Sequence, residues 1–198
     1  MSQLQTIIML GKPGAGKGTQ SGILKERLRF SIVGYGDFFR GLTGQDTFVG
    51  RKVKQTVDHG YLLPYWFPSY VLMNKLMTEI ESEQPIILDG AARSHKEAQL
   101  AHDVLTWFER PYRAIYIDIS DEEAIKRLTD RRKLIHREDD DESHIATRLQ
   151  VFHETVTPAV EYFREMGTLI EINGEQSMED VSFEVLTKLQ KIGLSVDL

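Results

Sequence analysis

Residues 11–20 read Gly11-Lys12-Pro13-Gly14-Ala15-Gly16-Lys17-Gly18-Thr19-Gln20. Glycines in such a run let successive backbone N–H groups turn toward one anion, and a helix starting there adds its partial positive charge. The spacing is that of a phosphate-binding loop, G-x-x-x-x-G-K, except that Gly18 stands where Ser or Thr is usual and Thr19 follows it. Gly14, Ala15, Gly16, Lys17, Gly18 and Thr19 are therefore the candidates for holding the phosphates of a nucleoside triphosphate, with the Lys17 ammonium aimed at the β- and γ-phosphates. Moving a phosphoryl group needs little covalent help from protein; its rate comes from alignment and from cations around the developing charge. The chain offers Arg40, Arg93, Arg127, Arg131, Arg132, Arg137 and Arg148 for that purpose, and Arg127 and Arg131 share one helix face at i and i+4. Asp89 closes an apolar run, where a carboxylate could order the waters of a Mg²⁺ on the triphosphate or simply cap the next helix. Thr19 is a second candidate oxygen near that ion.

These residues need a rigid frame, and the apolar pattern supplies one. Five short runs without polar alternation, Thr6 to Leu10, Phe30 to Val33, Pro85 to Leu88, Ala114 to Ile119 and Thr168 to Ile172, read as strands covered on both faces. Helical patterns lie between them, including Gly18 to Leu28, Ser94 to Glu109 and Asp121 to Arg131. Strands alternating with helices predict an α/β domain with a parallel sheet and right-handed crossovers. Ser120-Asp121-Glu122-Glu123 reads as a helix start, with Ser120 as N-cap and Glu123 at the capping-box position. Two stretches stand outside this scheme. Asp37 to Ser82 is a long helical insertion broken by Gly41, Gly44, Gly60 and Pro64, and Arg131 to Glu142 is almost continuous charge. Insertions at the ends of parallel strands are where ligand-handling elements sit.

The string G-x-P-G-x-G-K-G-T-Q resembles the phosphate loop of the adenylate kinase family. Gly36-Asp37-Phe38-Phe39-Arg40 resembles that family's G-D-x-x-R, and Leu88-Asp89-Gly90-Ala91-Ala92-Arg93 its L-D-G-F-P-R. Arg127, Arg131-Arg132, Arg137 and Asp139-Asp140 fit its lid pattern, and Arg148-Leu149 with Thr157-Pro158 the helix after it. The resemblance implies a P-loop NTPase-type three-layer fold with a five-stranded parallel sheet. It divides the chain into a core (1–34, 66–130 and 141–198), a helical NMP-binding insertion (35–65) and a short lid (131–140). It also implies transfer of the ATP γ-phosphoryl group to AMP, with Mg²⁺ as cofactor and nucleotides as the only partners. Lys17, Arg93, Arg131, Arg137 and Arg148 would be catalytic. Arg127 would stack on the ATP base near Gln176, while Tyr35, Arg40, Leu63, Gly90, Arg93 and Glu97 would hold the acceptor. Only four residues separate Arg132 from Arg137, the short-lid pattern, which has no room for a zinc-bearing lid. Asp139 and Asp140 would hold the lid arginines or complement a helix dipole, and His136 and His144 read as surface histidines.

The acceptor-base positions depart from the family. Tyr35 stands for a Thr, Ala91 and Ala92 for Phe-Pro, and Glu97 for a Gln four residues after the arginine. An amide both donates and accepts, as adenine requires, whereas an ionised carboxylate only accepts and would suit guanine N1–H and N2–H. The aromatic run Tyr65-Trp66-Phe67 also departs and reads as packing of the insertion. Two readings therefore stand beside AMP phosphorylation: a kinase for another acceptor such as GMP, and a non-catalytic ATP-binding relative.

Composition bounds the rest. A chain of 198 residues forms one main domain. Its 24 Lys and Arg against 30 Asp and Glu give a net charge of −6, which disfavours nucleic acid as partner. The absence of Cys removes thiolate zinc sites and a cysteine nucleophile. The run Ile7-Ile8-Met9-Leu10 is too short for a signal or membrane segment, so a cytoplasmic, membrane-free monomer is expected. The cations are not evenly spread: Lys126, Arg127, Arg131, Arg132, Lys133 and Arg137 fall within twelve residues, followed at once by five acidic ones.

Overall fold

A computed structural model describes residues 4–135 and 142–195. Five strands, β1 (Thr6–Gly11), β2 (Ser31–Gly34), β3 (Ile86–Asp89), β4 (Tyr112–Asp118) and β5 (Leu169–Asn173), form one sheet in the order β2-β3-β1-β4-β5. Every pairing is parallel, with Ile8 of β1 opposite Leu88 of β3 and Ala114 of β4. All of β1 is buried, and its residues alternate between two cores as a strand's period of two demands. Ile7 and Met9 join Ile115, Ile117, Leu24, Leu128, Val185 and Leu189 on one face, while Ile8 and Leu10 join Leu88, Leu72, Leu105 and Phe163 on the other. Helices α1 (Lys17–Leu28), α6 (Asp121–Ile135) and α9 (Met178–Lys191) supply the first core, and α4 (Trp66–Thr78), α5 (His95–Trp107) and α8 (Thr157–Glu165) the second. The three layers expected from the pattern are present, and β1 lies centrally, so the loop after it opens at the carboxyl edge of the sheet.

The long stretch between β2 and β3 resolves into α2 (Tyr35–Thr43), α3 (Phe48–Asp58) and α4. Gly44, Gly60 and Pro64 fall between helices as expected, but Gly41 lies inside α2. Gly50 is the packing residue here, because a Cβ would collide with the carbonyl oxygens of Leu42 and Gln45. Two further differences concern the helices beside the charged stretch. Helix α6 continues through Arg131 to Ile135, so the first half of the expected lid is an extension of a core helix. Helix α7 (Glu142–Val151) passes without a break into a π-helical turn, Phe152–Val156, and then into α8. Such wide turns cluster at functional sites because they re-aim the side chains that flank them.

Candidate active site

The loop between β1 and α1 has the conformation that its glycines permit. Gly11, Gly14 and Gly16 take φ values of 148°, 83° and 91°, the region that side chains avoid. Lys17 begins α1 and folds back on the loop, donating to the carbonyls of Gly11 at 2.8 Å and Lys12 at 2.9 Å. Burial pushes its ammonium down to about 7 from the ordinary 10.5; the charges of Arg93, Arg148 and Arg131 add to this, and that of Asp89 opposes it. Four cations from four elements thus converge on one buried spot, an arrangement that is unfavourable unless an anion joins it. Arg93 is also held below its usual range, by burial first and by Arg148, against the pull of Asp89 and Glu97.

From this spot a cleft of about 380 Å³ runs beneath the insertion, lined among others by Lys17, Arg40, Arg93 and Arg148, with Tyr35, Leu63, Gly90 and Glu97. The tip of the insertion closes on α7: Gly60, at φ 79°, leaves no room for a Cβ, which would lie 3.2 Å from Arg148 Cγ. His144, expected at the surface, lines the cleft as well, and its Nδ1 is buried without a hydrogen-bond partner. Periodicity could have indicated this, since His144 precedes Arg148 by one helical turn.

Tyr35 is 2% exposed and packs in one cluster with Ala91 and Ala92, so its ring and the small residues that replace Phe-Pro share one space. Its ring meets Phe39 at 6.4 Å, and Phe39 stacks on Phe67 at 5.8 Å. Phe67 therefore packs the insertion as expected, whereas Tyr65 and Trp66 remain exposed. The Tyr35 hydroxyl is buried with no partner, and burial together with the nearby Glu97 raises its pKa. Ala92 takes φ 54°, which a proline ring cannot adopt, so the loss of the family's Pro is matched by a different backbone. Glu97 has a local task that the base reading overlooked: it is the third helical residue of a capping box. Ser94 Oγ accepts from Glu97 N at 3.3 Å, and Glu97 Oε2 accepts from Arg93 N at 2.9 Å. The signature S-x-x-E at 94–97 announces this directly. Burial raises the pKa of the Glu97 carboxyl, against the lowering effect of its bonds to Arg93 and Ser94.

The expected ATP-base residues meet elsewhere, at the ends of β4 and β5. Arg127 is held by Glu123 Oε1 at 2.7 Å and donates to Gly174 O at 2.8 Å. Gln176, two residues on, donates to Asn173 O at 3.0 Å and to Glu184 Oε2 at 2.6 Å. Ser120 caps α6 as expected, but Glu123 turns to Arg127, and the Ser120 N–H is taken at 2.8 Å by Glu175. Asp89 faces the first turn of α1, 3.9 Å from where a Cβ on Gly18 would lie. Arg137, Asp139, Asp140 and His136 lie outside the described residues. Among the described residues no three or more His, Asp and Glu side chains gather as a metal site, and no helix is long and apolar enough to cross a membrane.

A family model, Adenylate kinase, matches residues 9–168. The chain belongs to the adenylate kinase family. Curated relatives agree: the adenylate kinase of Corynebacterium urealyticum is 32% identical over 186 residues, covering 93% of this chain and 99% of that protein. That of Chlamydia trachomatis serovar L2 is 31% identical over 218 residues, with 92% and 89% covered, and that of Leptospira biflexa 30% over 187 residues, with 94% and 100% covered. An alignment of 218 positions exceeds the 198 of this chain, so the Chlamydia enzyme carries segments that this one lacks. As a member of the adenylate kinase family the protein is a nucleoside monophosphate kinase, a nucleotide-binding phosphotransferase.

Proposed function

We propose that the enzyme transfers the γ-phosphoryl group of ATP reversibly to AMP, giving two ADP. The observation that carries this is the convergence of Lys17, Arg93, Arg131 and Arg148 at the mouth of a cleft also lined by Arg40. One nucleotide's phosphates enter from the glycine loop and the other's from the cleft, and the cations take up the charge between them. The relatives' name, adenylate kinase, supports AMP as acceptor. An α-phosphate oxygen of AMP attacks the γ-phosphorus in line and ADP leaves. No general base is needed, because the attacking oxygen is already an anion. Gly14 to Thr19 cradle the ATP phosphates, and Arg127 and Gln176 flank its base. Arg40 and Arg93 hold the AMP phosphate, Tyr35, Leu63, Gly90 and Glu97 surround its base, and Arg137 acts with Arg131 and Arg148 from a short lid at 131–140. The 35–65 insertion and the remaining core complete this division.

The donor set near the loop fits Mg²⁺, a hard cation that prefers oxygen: the Asp89 carboxylate faces the start of α1, where the Thr19 hydroxyl lies. Asp89 would hold it through water and Thr19 directly, and the ion would neutralise charge on the β- and γ-phosphates. The enzyme acts as a cytoplasmic monomer on small nucleotides.

One observation favours a second acceptor. Glu97 is a buried, accept-only carboxylate in the cleft, suited to guanine. Kinetics of Glu97→Gln with AMP and GMP separate the two. If Glu97 chiefly caps its own helix, wild type prefers AMP and the ratio of kcat/KM values changes by less than about threefold in the variant. A wild-type preference for GMP that moves about tenfold or more toward AMP in the variant would establish the guanine reading instead.

A further inference from the structure

The phosphate loop contains a second lysine that its motif does not use. The Lys12 side chain is only 9% exposed, rare for a lysine. Its ammonium donates to Ile119 O at 2.6 Å, pairs with Asp121 Oδ1 at 3.0 Å and lies 5.8 Å from the centre of the Phe152 ring. Asp121 is shared: its Oδ2 meets His153 Nε2 at 2.9 Å. The bonds from His153 and Lys12 hold the Asp121 carboxyl below the usual carboxylate range.

These contacts join the elements that carry the reacting cations. The backbone carbonyl of Lys12 accepts from Lys17 Nζ, so the two lysines of the loop are mechanically linked. Ile119 follows β4, and Asp121 opens α6, which bears Arg131. Phe152 and His153 begin the π-helical turn directly after α7, which bears Arg148. Phe152 also lines the acceptor cleft and stacks on Tyr116 of β4, with ring centres 6.4 Å apart. A buried ammonium is stable only while its partners stay in place, so this node resists displacement of any element it ties.

We propose that Lys12, through Asp121 and His153, is a positioning residue for phosphoryl transfer, locking the phosphate loop to the roots of the two helices that present Arg131 and Arg148. The link acts on alignment and not on nucleotide affinity, and small misplacements of reacting groups are costly in rate. It rests on the phosphotransferase activity alone and is independent of which base the acceptor carries.

The test is steady-state kinetics of Lys12→Met, Asp121→Asn, His153→Gln and the Lys12→Met/His153→Gln double variant, with ATP and the nucleoside monophosphate that wild type uses best, well below each melting temperature. Lys12→Met should lose about tenfold or more in kcat while both KM values stay within about threefold. Asp121→Asn and His153→Gln should lose less, again in kcat. The double variant should be no slower than Lys12→Met, because both changes cut one link. Wild-type kcat in folded Lys12→Met, a rise in the KM for ATP with kcat unchanged, or losses that multiply in the double variant would overturn the proposal. Should Lys12→Met fail to fold, Asp121→Asn and His153→Gln decide by the same split, their wild-type side chains being 41% and 49% exposed.

Discussion

The phosphate end and the acceptor-base end of the cleft lie side by side, yet they hold to their family in different ways. At the phosphate end three glycines take positive φ, Lys17 lies on the loop carbonyls, and Arg93, Arg131 and Arg148 press on it. Each residue there answers to the charge of a phosphate, which is common to every nucleotide. At the base end Tyr35 shares a core cluster with Ala91 and Ala92, the backbone at Ala92 is left-handed, and Glu97 caps its own helix. A base edge is read by a few hydrogen bonds, and several packings can serve it. The contrast teaches that charge recognition fixes residue types, whereas base recognition leaves room for concerted substitution.

The largest expected effect breaks the phosphate end. Lys17→Met should lower turnover by a factor of about 100 or more, roughly 3 kcal/mol of transition-state stabilisation, as loss of one preorganised charge-stabilising group does. Wild-type turnover in that variant would remove the loop from the reaction. At the base end the informative change is a return to the family residue. Ala92→Pro should destabilise by more than about 1 kcal/mol, because φ 54° is closed to proline. In a chain of this size that lowers the melting temperature by about 2–4 °C per kcal/mol. An unchanged melting temperature would mean that the base end keeps the family's backbone after all.

The smallest effect sharpens the comparison by pH. Lys17 in the free protein titrates at about 7, below its ordinary 10.5. Between these values the unfolded chain binds more protons at this site than the native one, so the contribution of Lys17 to unliganded stability becomes more favourable as pH rises through that window. Phosphates restore the charge, so nucleotide binding takes up protons there and weakens as pH rises. Calorimetry of ATP binding at about pH 8.5, in two buffers of different ionisation enthalpy, should report uptake that Lys17→Met abolishes. Equal uptake in the variant would place the titration elsewhere.

How much of this was legible depends on how local the signal is. The strands were readable because their apolar runs are buried on both faces, although β4 starts two residues before the expected Ala114, at Tyr112. The phosphate loop was readable because its glycines and lysine act at fixed spacing. Glu97 was misweighted because the residue type that caps a helix is the one that accepts from a base. Its partner Ser94, three residues earlier, was the clue. The link from Lys12 through Asp121 to His153 was not readable, since its members are 109 and 32 residues apart and only folding brings them together. The length of α6 was missed because the charged run that ends it reads equally as solvated helix or loop.

The central claim, that this cleft passes a phosphoryl group between two adenine nucleotides, is tested most directly by giving the enzyme ADP and Mg²⁺ alone. The account predicts ATP and AMP in equal amounts, growing together from a single added nucleotide. No ATP from ADP, with ATP appearing only once GDP is added, would contradict it.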